Sequence, residues 1–178
     1  MASCEVTYDG LYVPGSDRVG QEGGGFRYLL DGLNAERVLI AAEALGIGRA
    51  AVRRAARYAS ERIVFGRPIG ANQGVSFPLA AAHARLAAAE LVTRQAAWRI
   101  DHDLSSGEHA NIAKFLAADA GFGAADAAMQ AHGGFGYARE YHVERYWREA
   151  RLLRIAPVPQ EMALNYLAEH VLGLPRSY

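Results

Sequence analysis

Between residues 33 and 131 the sequence is a succession of long alanine-rich runs broken at two short places, and few folds can accommodate that. In the first run, about 33–62, Val38, Ala41, Ala42, Leu45 and Val52 recur at helical spacing. Arg49, Arg53 and Arg57 repeat every four residues and mark a charged stripe that reads as a solvated or subunit-facing surface. The segment Ile63-Val64-Phe65-Gly66-Arg67-Pro68-Ile69-Gly70 ends this helix, because glycine and proline do not carry a helix through. A second helix is predicted over about 73–104, with Asn72 as its N-cap and Leu79, Leu86, Thr93, Ala97 and Ile100 on one face. Ser105 and Glu108 have capping-box spacing in the next turn. A third helix over about 108–131 stops at Gly133-Gly134, and shorter helices follow over about 140–151 and 160–172. Long helices joined by short turns predict an all-α antiparallel bundle of the four-helix type. The alanines let helices approach closely but bury little apolar area each, so a further interface from oligomerisation is expected.

Residues 1–29 read differently. Glu5-Val6-Thr7-Tyr8 and Leu11-Tyr12-Val13-Pro14 are two short extended runs around Asp9-Gly10, followed by the glycine-rich Gly20-Gln21-Glu22-Gly23-Gly24-Gly25. Two such strands are not stable alone and are expected to complete a sheet supplied from elsewhere. The expected division is therefore a β fragment over residues 1–29 and a helical domain over residues 30–178.

Of the 178 residues, 19 are Lys or Arg and 19 Asp or Glu, so the net charge is zero and nothing favours nucleic acid or an anionic membrane as partner. Arg, Glu, Gly and His interrupt every apolar stretch, so no membrane-spanning segment is expected. The start, Met1-Ala2-Ser3-Cys4-Glu5, shows no basic segment leading into an apolar run. With Cys4 as the single cysteine, the expectation is a cytoplasmic chain. The six histidines form no ligand set at helical spacing, and no metal is expected.

Three groups of residues can carry chemistry. Glu36, at the expected head of the first helix, is a candidate proton acceptor whose pKa burial would raise and whose neighbour Arg37 would keep it ionised; helix-dipole complementation explains the same position. Arg62, Phe65 and Gln73 surround a tight turn and could hold a phosphate, a ring and an amide-bearing ring, or simply join two helices. Gln130-Ala131-His132-Gly133-Gly134-Phe135-Gly136-Tyr137 could admit a pyrophosphate close to the backbone, although glycine is also an ordinary helix terminator. It is not a P-loop, since no Gly-Lys-Ser/Thr follows.

In order, these pieces resemble the C-terminal part of the acyl-CoA dehydrogenase family. The matching features are Glu36-Arg37 at the first long helix, Arg62-x-x-Phe65-Gly66 with Gln73, Gln130-x-x-Gly133-Gly134-x-Gly136-Tyr137, and the basic run Arg148-Glu149-Ala150-Arg151. Residues 4–26 resemble the last strands and exit loop of that family's middle β domain. The resemblance implies FAD as cofactor and an acyl-CoA thioester as substrate. A glutamate removes the α proton and the β hydrogen passes as hydride to the flavin. Most members carry that base near the C-terminus after an Arg-Ile; here the matching position, after Arg154-Ile155-Ala156, is Pro157. A minority, including isovaleryl-CoA-type enzymes, place it where Glu36 stands, which implies Glu36 as base with Arg37 setting its environment. Pro157 also lacks the amide N–H that helps polarise the thioester carbonyl. Arg62, Phe65, Gln73, Gln130, Gly133 and Gly134 match positions that contact FAD, held mainly by a neighbouring subunit, and Glu161 matches a weaker FAD contact. The implied partners are electron-transfer flavoprotein as acceptor and further copies of the chain, as a dimer or tetramer, or a subunit supplying the missing domains. The rival reading is a catalytically silent helical subunit used for assembly and keeping part of an FAD site. A relative with the same flavin and another reaction stands beside both.

Overall fold

The computed structural model describes residues 4–176; residues 1–3 and 177–178, at the outer ends of the two expected domains, lie outside the described residues. Among the described residues five helices form the body: α1 (Gly25–Glu61), α2 (Gln73–Asp101), α3 (Gly107–His132), α4 (Val143–Leu152) and α5 (Gln160–Tyr166), the last continued by a π turn over Leu167–Val171. The all-α expectation holds. The long helices run up, down and up, so that α1 and α3 are parallel and α2 is antiparallel to both. Ala41, Ala44, Ala51 and Ala55 of α1 are buried with Ala113, Ala117, Ala124 and Ala128 of α3. At the closest point Gly48 faces Gly121. A Cβ on Gly121 would lie 2.6 Å from the Ala44 carbonyl oxygen, and one on Gly48 would lie 3.0 Å from the Gly121 Cα. α2 closes the core with Leu79, Ala82, Leu86, Ala89, Thr93 and Ala96. The expected face is therefore correct, with Ala97 and Ile100 at its half-buried margin.

Several expectations require correction. α1 begins at Gly25, not near residue 33, so Glu36 lies about three turns into the helix and not at its head. The early start depends on Tyr28, whose ring folds back over Gly20 and Gly24 and whose hydroxyl accepts the Gln21 N–H at 3.3 Å. Dipole complementation therefore does not account for Glu36. Residues 4–24 form no strand; both extended runs are exposed, because two isolated strands find no sheet to join. Asn72 occupies the cap position but does not cap. Its amide donates to the Ile69 carbonyl at 3.0 Å and its oxygen accepts from Arg67 at 2.6 Å. Ser105 is not the cap of α3 either, since that position is Ser106, without a side-chain bond, and the Ser105 carbonyl instead accepts from Arg99.

The break after α1 is a miniature hairpin, Ile63–Val64 paired with Arg67–Pro68. Phe65 (φ 52°) and Gly66 (φ 80°) both adopt left-handed backbone, as a two-residue turn of type I′ requires. By length and mean hydropathy (1.2) alone α2 would suffice to cross a bilayer. Here it is a bundle helix, and its Glu90 is paired with Arg49 of α1 and Arg94.

Candidate active site and cofactor cleft

The parallel course of α1 and α3 brings their C-terminal ends together. Arg62 follows the last turn of α1, and Gln130 lies in the last turn of α3. Gly133, with φ 59°, turns the chain out of α3. These residues and Gly134 line one cleft of about 500 Å³. Nothing lies within 4 Å of where side chains at Gly133 and Gly134 would begin, so the backbone there is open to a ligand. The floor is aromatic: His132 stacks on Tyr58 with centroids 4.4 Å apart, and Phe135 and Tyr141 complete the cluster. His132 is buried, its Nδ1 lies 2.8 Å from the Ala128 carbonyl, and burial pulls its pKa below the usual value. The Arg62 guanidinium sits 5.6 Å above the Phe135 ring, with no carboxylate paired to it among the described residues. Phe65 does not line this cleft; it stands fully exposed at the hairpin tip. Gln73, the first residue of α2, is also exposed and outside it.

At the other end of the bundle, Glu36 is half-buried and Arg37 is 8% exposed. Arg37 donates through Nη1 to Asn34 Oδ1 at 3.0 Å, while its Nε has no partner among the described residues. Desolvation pulls the guanidinium below its usual pKa, against the fields of Tyr166 and Glu36. Behind Arg37 lies Lys114 of α3, fully buried, with Nζ unpartnered among the described residues. Glu161, exposed in the first turn of α5, opposes the loss of charge on Lys114. It lines none of the clefts around Gly133 and Gly134. Pro157, also exposed, lies between α4 and α5.

A family model of the acyl-CoA dehydrogenase C-terminal domain matches residues 23–172. The chain belongs to the acyl-CoA dehydrogenase family. It is 45% identical to acyl-CoA dehydrogenase FadE12 of Mycobacterium tuberculosis over 176 residues, covering 98% of this chain and 45% of that protein. It therefore spans just under half the length of that relative. Glutaryl-coenzyme A dehydrogenase, solved as its glutaryl-CoA complex, superposes with a TM-score of 0.87 at 31% identity, over 93% of this chain and 42% of that one. The electron transferring flavoprotein structure of Acidaminococcus fermentans superposes at 0.84 with 32% identity, over 86% and 40%.

Within this acyl-CoA dehydrogenase domain, the sequence alone singles out neither Tyr58 nor Lys114, and His132 and Phe135 only as members of the Gln130–Tyr137 run. Lys114 had one available sign. It falls between Ala110 and Ala117 on the buried α3 face, where a helix packed on both neighbours tolerates no ordinary surface lysine.

Proposed function

We propose that this chain is the C-terminal catalytic portion of an FAD-dependent acyl-CoA dehydrogenase in which Glu36 removes the α proton of an acyl-CoA thioester. The observation that carries the reading is the contrast between two positions. Pro157, with no acid and no N–H, matches by resemblance the family's common base location, while Glu36 is a half-buried carboxylate beside a buried guanidinium. An α C–H next to a thioester is weakly acidic, so a partly desolvated carboxylate suits its abstraction. Arg37, whose guanidinium lies in the field of Glu36, sets the charge environment of that carboxylate.

The cleft at the α1 and α3 C-termini fits the adenosine diphosphate part of FAD. Arg62 supplies a charge for the pyrophosphate, Gly133 and Gly134 open their amides to it, and the Tyr58–His132–Phe135 cluster offers an apolar floor. Gln130 lines the same cleft, whereas Phe65 and Gln73 are exposed away from it and would reach a flavin only across a neighbouring copy's surface. Glu161, a matched contact by resemblance, is exposed on α5 and lies outside this cleft. When bound, FAD accepts the β hydrogen as hydride, chemistry that no side chain supplies. Electron-transfer flavoprotein is the proposed acceptor. Phe77, Leu91 and Trp98, exposed on α2, belong to the proposed contact between copies.

In the assembled flavoprotein, Glu36→Gln should abolish α-proton exchange of a bound thioester while flavin stays bound. Near-normal exchange would remove Glu36 as base. A second reading, a silent assembly subunit keeping part of an FAD site, is supported by the exposed positions of Phe65, Gln73 and Glu161 outside the cleft. A colourless preparation whose spectrum never responds to acyl-CoA would decide for it.

A further inference from the structure

The arginine stripe of α1 divides in two. Arg49 is paired with Glu90 of α2, whereas Arg53 and Arg57 have no carboxylate partner among the described residues. Arg54 stands beside them, and these arginines line a cleft of about 440 Å³. Like charges one turn apart on a helix repel each other, so the helix alone does not favour such a cluster. The Arg54 Nε donates to the Tyr146 hydroxyl of α4 at 3.2 Å, and its guanidinium carbon lies 5.8 Å from that ring's centroid. This holds the planar group in place and leaves its Nη donors without a partner among the described residues.

The rest of the lining differs in chemistry. Tyr58, Tyr141 and Tyr146 supply aromatic surface, with Tyr58 and Tyr141 edge to face at 5.7 Å. The buried member is His132, only 4% exposed. Its Nδ1 lies 2.8 Å from the Ala128 carbonyl oxygen, which can only accept, so Nδ1 carries the proton. Nε2 of the neutral ring is then an acceptor, and it has no partner among the described residues. Glu61 and Glu140 add exposed carboxylates, neither of them in an ion pair among the described residues. With Arg53, Arg54 and Arg57 against Glu61 and Glu140, the cleft carries net positive charge.

Unpaired guanidinium donors, aromatic faces and a buried acceptor call for a ligand of matching parts. A bare phosphate would leave most of the space empty, and about 440 Å³ lies within the range of small-molecule sites. We propose that this cleft binds a nucleoside monophosphate. Arg53, Arg54 and Arg57 hold its phosphate, the tyrosines flank its base, and an amino group of the base donates to His132 Nε2. Neither Glu36 nor the flavin reading enters this assignment, since the cleft shares only Tyr58 and His132 with the one proposed for FAD.

The test is equilibrium dialysis of the full chain, with FAD in excess to fill the neighbouring cleft. AMP should be retained, and adenosine and inorganic phosphate, which keep only part of its contacts, should each bind about tenfold more weakly or worse. Arg54→Gln, and separately Arg53→Gln combined with Arg57→Gln, should each weaken AMP binding about tenfold or more. These side chains are exposed, so circular dichroism melts should match the parent. Arg62→Gln, which strikes the flavin cleft, should leave AMP affinity within about twofold. No retention of AMP at millimolar concentration overturns the site. Adenosine held as tightly as AMP removes the phosphate seat, and phosphate held as tightly as AMP reduces the cleft to a positive patch; either overturns the proposal. A loss on Arg62→Gln with none on Arg54→Gln places AMP in the flavin cleft and overturns it as well.

Discussion

Gly121 and Gly123 lie two residues apart on α3, and replacing each by alanine separates two effects that usually come mixed. Either substitution in a helix interior gains about 1 kcal/mol of propensity, because glycine loses more backbone freedom on folding. Only Gly121 meets another backbone: its Cβ would stand 2.6 Å from the Ala44 oxygen and 3.1 Å from the carbonyl carbon, whereas nothing lies within 4 Å of a Cβ on Gly123. A carbonyl inside a helix cannot retreat without shifting the whole helix, so overpacking there costs about 1–3 kcal/mol. The propensity gain cancels between the two variants, and their difference reports the clash, about 2 kcal/mol. For a domain of this size that corresponds to roughly 4–8 °C in thermal midpoint. Far-UV circular dichroism melts of the two variants, side by side with the parent, measure it. Gly123→Ala should melt at or above the parent and Gly121→Ala below it. If Gly121→Ala melts as high as Gly123→Ala, the close approach of α1 to α3 is refuted.

Two further outcomes follow from single side chains. Phe65 holds left-handed backbone at a fully exposed turn, a conformation that costs a residue of its kind about 1–2 kcal/mol. Phe65→Asn, which suits that turn, should raise the melting midpoint while weakening flavin retention measured by equilibrium dialysis; unchanged retention would show that the ring does nothing for the cofactor. His132 has its folded pKa pulled below the unfolded value near 6.5, so the unfolded chain takes up its proton first as pH falls. Stability is fully present above about pH 6.5 and declines below it until the folded pKa is passed. His132→Phe, keeping the stack on Tyr58, should flatten that decline in melts recorded across pH, and an unaltered slope would assign it to another group.

The bundle was legible because alanine and leucine repeat at helical spacing, and glycine and proline mark the break between α1 and α2. The start of α1 was not, because it depends on the Tyr28 ring covering Gly20 and Gly24, a contact between residues whose local chemistry suggests only a loop. Neither Asn72 nor Ser105 caps, although both have the right side chain. One is engaged by Arg67, and the other lies a residue too early. Arg62, Gln130, Gly133 and Gly134 were recognisable as separate fragments and do share a cleft, since two parallel helices of matched offset end side by side. Phe65 and Gln73 belong to the same motif yet stand apart from that cleft, and only a neighbouring surface could unite them. Lys114 was illegible for a simpler reason: lysine is the residue least expected inside a core, and no local pattern states which face of a helix will be covered on all sides.

α1 is continuous from Glu36 to its end at Glu61, and at 1.5 Å per residue this sets Glu36 and the capping Arg62 roughly 39 Å apart. On the proposed reading, no single dinucleotide bridges that span, so one rod must serve two reaction centres, a base at one and a phosphate grip at the other. Dilution past the point of dissociation would then disable both centres together, with every fold still intact.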